Sequence, residues 1–415
     1  MRHRCRLPFA ARRCNLCGMN SPSSSVNRPV QPRHALWSGG FRPFFLGGAA
    51  FATAALPLWV WSLITGDPVA AAGDPLRWHI HEMIFGYVGA VLAGFLLTAI
   101  PNWTGRLPVQ GRPLMLLFAL WLAGRVALFA GGLLGPLAAA VDALFLVALA
   151  GIAWREVAAG KGLRNAPICI LVTLFALANI AFHVEAVLTD AADYAVRAGI
   201  GIVVVLISLI GGRITPSFTR NWLAKREAAA MPAPFGRFDK ACLVATLLAV
   251  LAWTAAPYAI ATAVLLALAA VLHLVRLLRW RGWQAVSEPL LLVLHVAYAW
   301  LPIALALLAA GIAWPEIGTS PGIHAFTAGG IGMMTLAVMT RATLGHTGHA
   351  LTASAGTSLL YLLAFAGAVL RVVAPWLPVD YLVAIMVSGG LWTGAFMLFV
   401  AIYGPMLAGA DAGRE

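Results

Sequence analysis

The chain has 415 residues, of which 61% are hydrophobic and only 10% charged. Soluble domains carry about 25% charged residues, so the composition argues against a soluble enzyme and leaves no soluble domain of useful size outside the apolar runs. The formal net charge of +13 is expected to mark cytoplasmic loops of a membrane protein rather than a nucleic-acid footprint, and the five cysteines define no disulfide framework.

Residues 1–43 read as a basic, disordered cytoplasmic tail with eight arginines, no acidic residue and a Ser/Pro-rich stretch from Ser21 to Pro32. The tail lacks the apolar core of a secretory signal. Cys14 and Cys17 have CxxC spacing, but no second pair stands at zinc-ribbon distance. From Phe44 onward twelve apolar segments are long enough to span a bilayer. They cover about 44–65, 80–101, 113–131, 136–154, 166–188, 196–213, 240–257, 259–278, 289–311, 323–341, 355–374 and 381–404. Two boundaries are thin: Gly131–Pro136, and Ala256, Pro257 and Tyr258. The expected fold is an all-α polytopic membrane protein with twelve transmembrane helices. Residues 44–405 form one membrane domain and 406–415 a short cytoplasmic C-terminal tail.

Charge asymmetry tests the count. With the N-terminus inside, 24 of the 28 Lys and Arg residues fall on cytoplasmic segments. Asp67, Asp74, Asp190, Asp193, Glu316 and Asp380 fall on outer loops. Such a bias supports twelve spans with both termini cytoplasmic. The four exceptions, Arg77, Arg125, Arg197 and Arg371, map to the outer face or outer third.

The tenth segment carries the densest pattern, HAFTAGGIGMMTLAVMTRATLGHTG from His324 to Gly348. On one continuous helix His324 and His346 would lie about 33 Å apart, at opposite faces of the membrane. Sliding the chain by 243 residues lays His81, Gly86, Gly89, Thr104 and Gly105 on His324, Gly329, Gly332, Thr347 and Gly348. This hints at a repeat of four helices, although chance similarity among Gly-rich apolar segments accounts for so few matches.

The topology sorts the histidines. His79, His81, His183 and His324 share the outer side with Glu82 and Glu185. On the inner side sit His273, His295, His346 and His349, of which His273 and His349 read as interfacial. A single histidine at membrane depth is more often a packing or helix-end residue, but four from three helices point to a metal or haem site, because imidazole is the common ligand for iron, copper and zinc. His79 and His81 are two apart, so a regular helix points them to different partners. Guanidinium groups suit bidentate pairing with carboxylates, and haem propionates are carboxylates. Arg125 with Asp142, and Glu185 with Arg197, lie at matching depth and are expected to pair. Arg77 and Arg371 have no evident partner and are the preferred propionate candidates, with Arg125 behind them. His295, His346 and Glu82 are the further metal candidates, while Met333, Met334 and Met339 read as packing.

WHIHEMIFGYVGAVLAGFLLTAIPNWTGR (78–106), the 324–348 stretch, GFRPFFLGG (40–48), RNAPI (164–168), NIAFHVE (179–185), GGRITPSF (211–218) and LHVAYAWLP (294–302) resemble the NnrS family over about residues 36–405. The resemblance implies a twelve-helix bacterial inner-membrane protein carrying haem, expected to be b-type, and copper. It links the chain to denitrification and relief of nitric-oxide stress, with nitric oxide as ligand and a quinol as candidate electron donor. The histidines matching its motifs are His79, His81, His183, His295, His324 and His346; the N-terminal tail has no counterpart. Haem-copper oxidases and nitric-oxide reductases also place haem-ligating histidines on their second and tenth helices, but the sixth and seventh segments here carry no histidine for their usual copper site. Two other readings stay open. One is a 6+6 secondary transporter, suggested by a long internal loop at 214–239. The other is a non-catalytic nitric-oxide binder or sensor.

Overall fold

A computed structural model describes residues 35–69, 73–160 and 163–411; Cys14 and Cys17 lie outside the described residues. Twelve helices are long and apolar enough to cross a membrane. They are α1 (Phe41–Thr65), α2 (Pro75–Thr104), α3 (Arg112–Phe129), α4 (Pro136–Ala159), α5 (Ala166–Thr189), α6 (Asp193–Ala224), α7 (Arg237–Ala255), α8 (Ile260–Leu278), α9 (Pro289–Ala313), α10 (Ser320–His346), α11 (Ala355–Trp376) and α12 (Tyr381–Ala408). No strand is present among the described residues. The protein is an all-α, multi-pass membrane protein.

Local chemistry fixes the ends. The carboxylates of Asp74, Glu288 and Asp380 accept from the amides of Leu76, Leu290 and Val383, and the Ser354 hydroxyl accepts from Thr357 N. These caps satisfy amides that the first turn leaves unpaired. Pro75 and Pro289 then occupy first-turn positions where a missing N–H costs nothing. Both thin boundaries are present. A single helical turn, Gly131–Leu134, separates α3 from α4, and α7 ends at Ala255 while α8 begins at Ile260.

Three differences from the sequence reading stand out. α1 begins at Phe41, so the last three residues read as tail belong to a helix. α12 runs to Ala408, past the expected domain end. α6 continues to Ala224, because the GGRITPSF stretch stays helical, so the long 214–239 loop is instead a short connection after the helix.

α2, α6 and α10 form the centre, touching one another while the remaining helices pack around them. Each is the second helix of a consecutive block of four, and each contains a π-helical segment: Glu82–Tyr87, Ile207–Gly211 and Ala325–Ile331. The 243-residue offset carries Glu82, where the first π segment begins, onto Ala325, where the third begins. Of the matched pairs, Gly86 and Gly329 lie inside these segments and His81 and His324 stand immediately before them.

A π turn strands carbonyls that an α-helix would pair, and side chains from other helices meet them. Trp121 of α3 donates to Gly86 O at 2.9 Å, Arg276 of α8 to Ser208 O at 2.9 Å, and Trp392 of α12 to Ala328 O at 3.4 Å. Arg42, buried at the start of α1, donates to the carbonyls of Met406, Leu407 and Gly409 and pairs with Asp411, which joins the first helix to the last.

Candidate cofactor cavity and buried histidine cluster

The central helices part at their outer ends to leave a cavity of about 550 Å³. Apolar side chains line most of it, including Ile84, Val88, Ile200, Val203, Ile331 and Trp392. Its polar groups include His79 from α2, His324 from α10, Arg197 from α6 and Arg371 from α11. His79, His324 and Arg371 lie within electrostatic reach of one another. The Nδ1 of His324 donates to Ser320 O at 2.9 Å. His79 stacks on Trp59, with ring centroids 4.1 Å apart and planes 18° from parallel.

Several buried polar atoms here have no hydrogen-bond partner among the described residues: His79 Nδ1, Arg197 Nε and Arg371 Nη1. Buried polar groups are ordinarily satisfied, so such a set in one cavity marks room for a ligand that offers acceptors. At the inner end the Tyr87 hydroxyl meets Thr335 Oγ1 at 2.6 Å. The Thr335 hydroxyl spends its own proton on a backbone carbonyl of α10, Ile331 O at 2.8 Å or Gly332 O at 2.8 Å, so Tyr87 donates. This is the one side-chain hydrogen bond between α2 and α10 among the described residues.

The opposite face of α2 holds a second assembly, buried between α2, α3, α4 and α5. His81 Nε2 lies 2.8 Å from Asn179 Oδ1 and 3.1 Å from Asp142 Oδ2; His81 Nδ1 lies 3.2 Å from Glu82 Oε1. His183 Nε2 lies 2.9 Å from Asp142 Oδ2. Arg125 donates to Glu82 at 2.6 Å and pairs with Asp142, and Asn179 donates to Asp142 at 2.9 Å. His81, Asp142 and His183 can each aim one ligand atom at a common point, all within 4.8 Å of one another. A buried cluster of this kind can hold a metal ion. Gly86 and Gly124 make the room: a Cβ on Gly86 would come within 2.2 Å of Arg125 Nη1, and one on Gly124 within 3.1 Å of Asp142 Cα.

The four outer histidines therefore divide into two pairs on opposite faces of α2. His79 with His324 lines the cavity, and His81 with His183 joins the cluster. Glu82 and Arg125 also lie in the cluster, and the expected Arg125–Asp142 pair is present. Arg77 is not partnerless. It binds Asp190 at 2.7 Å through the carboxylate and 2.9 Å through the carbonyl, and it is absent from the cavity wall. The expected Glu185–Arg197 pair does not form. Glu185 instead accepts the amides of Tyr194 and Ala195 at the start of α6, leaving the Arg197 guanidinium over the Tyr194 ring.

The inner residues do not assemble. His295 Nε2 meets Thr219 Oγ1 at 2.8 Å, with its ring packed on Gly282, whereas His346 is exposed beside Phe41. His273 is not interfacial. It is fully buried between Thr246 at 2.7 Å and Tyr298 at 2.9 Å. Met333 accepts from Trp300 Nε1 at 3.2 Å, consistent with packing.

Residues 35–410 match the family model described as NnrS protein. The chain belongs to the NnrS family. Comparison with curated proteins gives no match. Membership and the twelve spans together make it a multi-pass inner-membrane protein of NnrS type.

Proposed function

We propose that this NnrS-family protein is a haem protein that binds nitric oxide, with His79 and His324 as the iron ligands. The observation that carries the reading is the pairing, in one cofactor-sized cavity, of two imidazoles on facing helices with two arginines that each have one buried nitrogen without a partner among the described residues. The volume lies within the roughly 300–1,000 Å³ of small-molecule sites. Arg197 and Arg371 would neutralise and orient the propionates, and the apolar wall below them would take the macrocycle and exclude water. No cysteine lines the cavity among the described residues, so retention would be non-covalent, as for a b-type haem. Bound haem would supply an iron centre that binds nitric oxide and passes single electrons, with polarity and ligation deciding between the two roles.

His81, Asp142 and His183 are the donor set we assign to a second metal. Two imidazoles and one carboxylate suit copper or zinc, and the family resemblance favours copper. Glu82 and Arg125 would then orient His81 and Asp142 from outside the metal.

A pyridine-haemochrome assay with copper quantitation on the purified protein tests both assignments. A Soret band is expected, together with one copper that is lost in His183→Ala. A colourless protein free of iron and copper would sink the reading. Repeated turnover of nitric oxide with a quinol donor would make the protein a reductase, and uptake that stops at one equivalent would make it a binder.

A further inference from the structure

The two cavity histidines are held unequally. His324 has its Nδ1 2.9 Å from Ser320 O, and the Ser320 hydroxyl lies 3.3 Å from the same nitrogen. A carbonyl only accepts, so Nδ1 carries the proton and Nε2 presents a lone pair. Such an anchor fixes tautomer and ring orientation and raises the basicity of a metal-ligating imidazole. His79 has no hydrogen bond on either ring nitrogen among the described residues, and its Nδ1 is buried. The ring contact it makes is the stack on Trp59. Stacking sets no tautomer and allows the ring to slide in its own plane.

From this asymmetry we infer that His324 is the permanent iron ligand and His79 the displaceable one, so that a diatomic ligand binds on the α2 side of the cavity. The inference rests on the haem reading above and adds the face at which the gas enters. With haem bound, His79 would give up its place to the incoming ligand while His324 kept its own, with no electron or proton moved. The released imidazole keeps Trp59 beneath it, so the exchange needs no unfolding of α2. Trp59, Ile80 and Met83 line the same cavity.

The test uses the full-length purified protein and carbon monoxide as a redox-inert probe. His79→Ala is expected to keep its haem and change from a six-coordinate low-spin to a five-coordinate high-spin ferrous spectrum. His324→Ala is expected to bind haem about 10–100-fold more weakly, the scale of losing an oriented ligand. In the wild type, the rate of carbon monoxide binding should level off as its concentration rises, limited by release of His79. That plateau should vanish in His79→Ala. The opposite pattern, with haem retained in His324→Ala and lost in His79→Ala, would overturn the assignment, as would equal losses in both. Should an alanine variant fail to fold, the wild-type kinetics still decide, because a rate that rises linearly without a plateau, or no binding at all, contradicts a displaceable His79. A wild-type protein without haem would remove the underlying reading instead, so the two failures are distinguishable.

Discussion

At the residue scale, partners separate the charged side chains that hold the bundle together from those free to hold a ligand. Arg371 lines the cavity, and the sequence offers nothing near it in the chain to neutralise it. Arg77 met the same criterion and is nevertheless tied to Asp190, across a loop contact that spacing could not reveal. Arg197 was missed for the converse reason: Glu185 lies at the right depth but spends its carboxylate on the start of α6. Arg197→Ala and Arg371→Ala should each weaken haem binding about 10–100-fold, since a hydrogen bond to a charged group is worth about 1.5–3 kcal/mol. Arg77→Ala should leave it unchanged; haemin titration of the apoprotein measures all three. In the cluster, Arg125→Ala leaves two buried carboxylates without their cation and should cost about 3–5 kcal/mol, seen as a lower unfolding temperature in detergent.

At the element scale, apolar length alone located twelve spans, and loop charge oriented them. Helix ends were less legible: Asp74 and Pro75 start α2 five residues before the hydrophobic run, and a polar amphipathic stretch prolongs α6. The π segments could not be foreseen, since they depend on Trp121, Arg276 and Trp392 reaching stranded carbonyls from other helices. They matter because each extra residue in a turn rotates what precedes it by about 100°. The segment from Glu82 to Tyr87 thereby sets the azimuth of both His79 and His81. Deleting Met83 should turn His79 out of the cavity and abolish the Soret band while the protein remains helical by circular dichroism. The Tyr87–Thr335 bond sets the spacing of the two histidine walls. Tyr87→Phe and Thr335→Val should each shift the haem spin state, and the double variant should show no more than either alone, the signature of a shared contact.

At the scale of the whole molecule, the sequence implied one outer rim where all four histidines converge. Folding instead wraps two sites around α2, one facing the centre of the bundle and one facing α3, α4 and α5. Spacing of two along a helix already set His79 and His81 apart; which neighbours each would meet depended on the packing of nine other spans. The charge bias predicts orientation directly. A cysteine placed at Asp67 should react with a membrane-impermeant thiol reagent in intact cells, whereas one at Ala229, after α6, should react only once the membrane is opened. Reversed labelling would invert the topology and put the cavity mouth on the wrong side.

The Arg42 clamp on the carbonyls past Met406 has a consequence for biosynthesis. Its acceptors lie at the end of α12, 365 residues along the chain for Leu407, so this contact between α1 and α12 forms only after α12 has been made. The bundle is thus latched between α1 and α12. Trimming the chain just before Met406 should yield a product that inserts but never seals, and is cleared by membrane proteases.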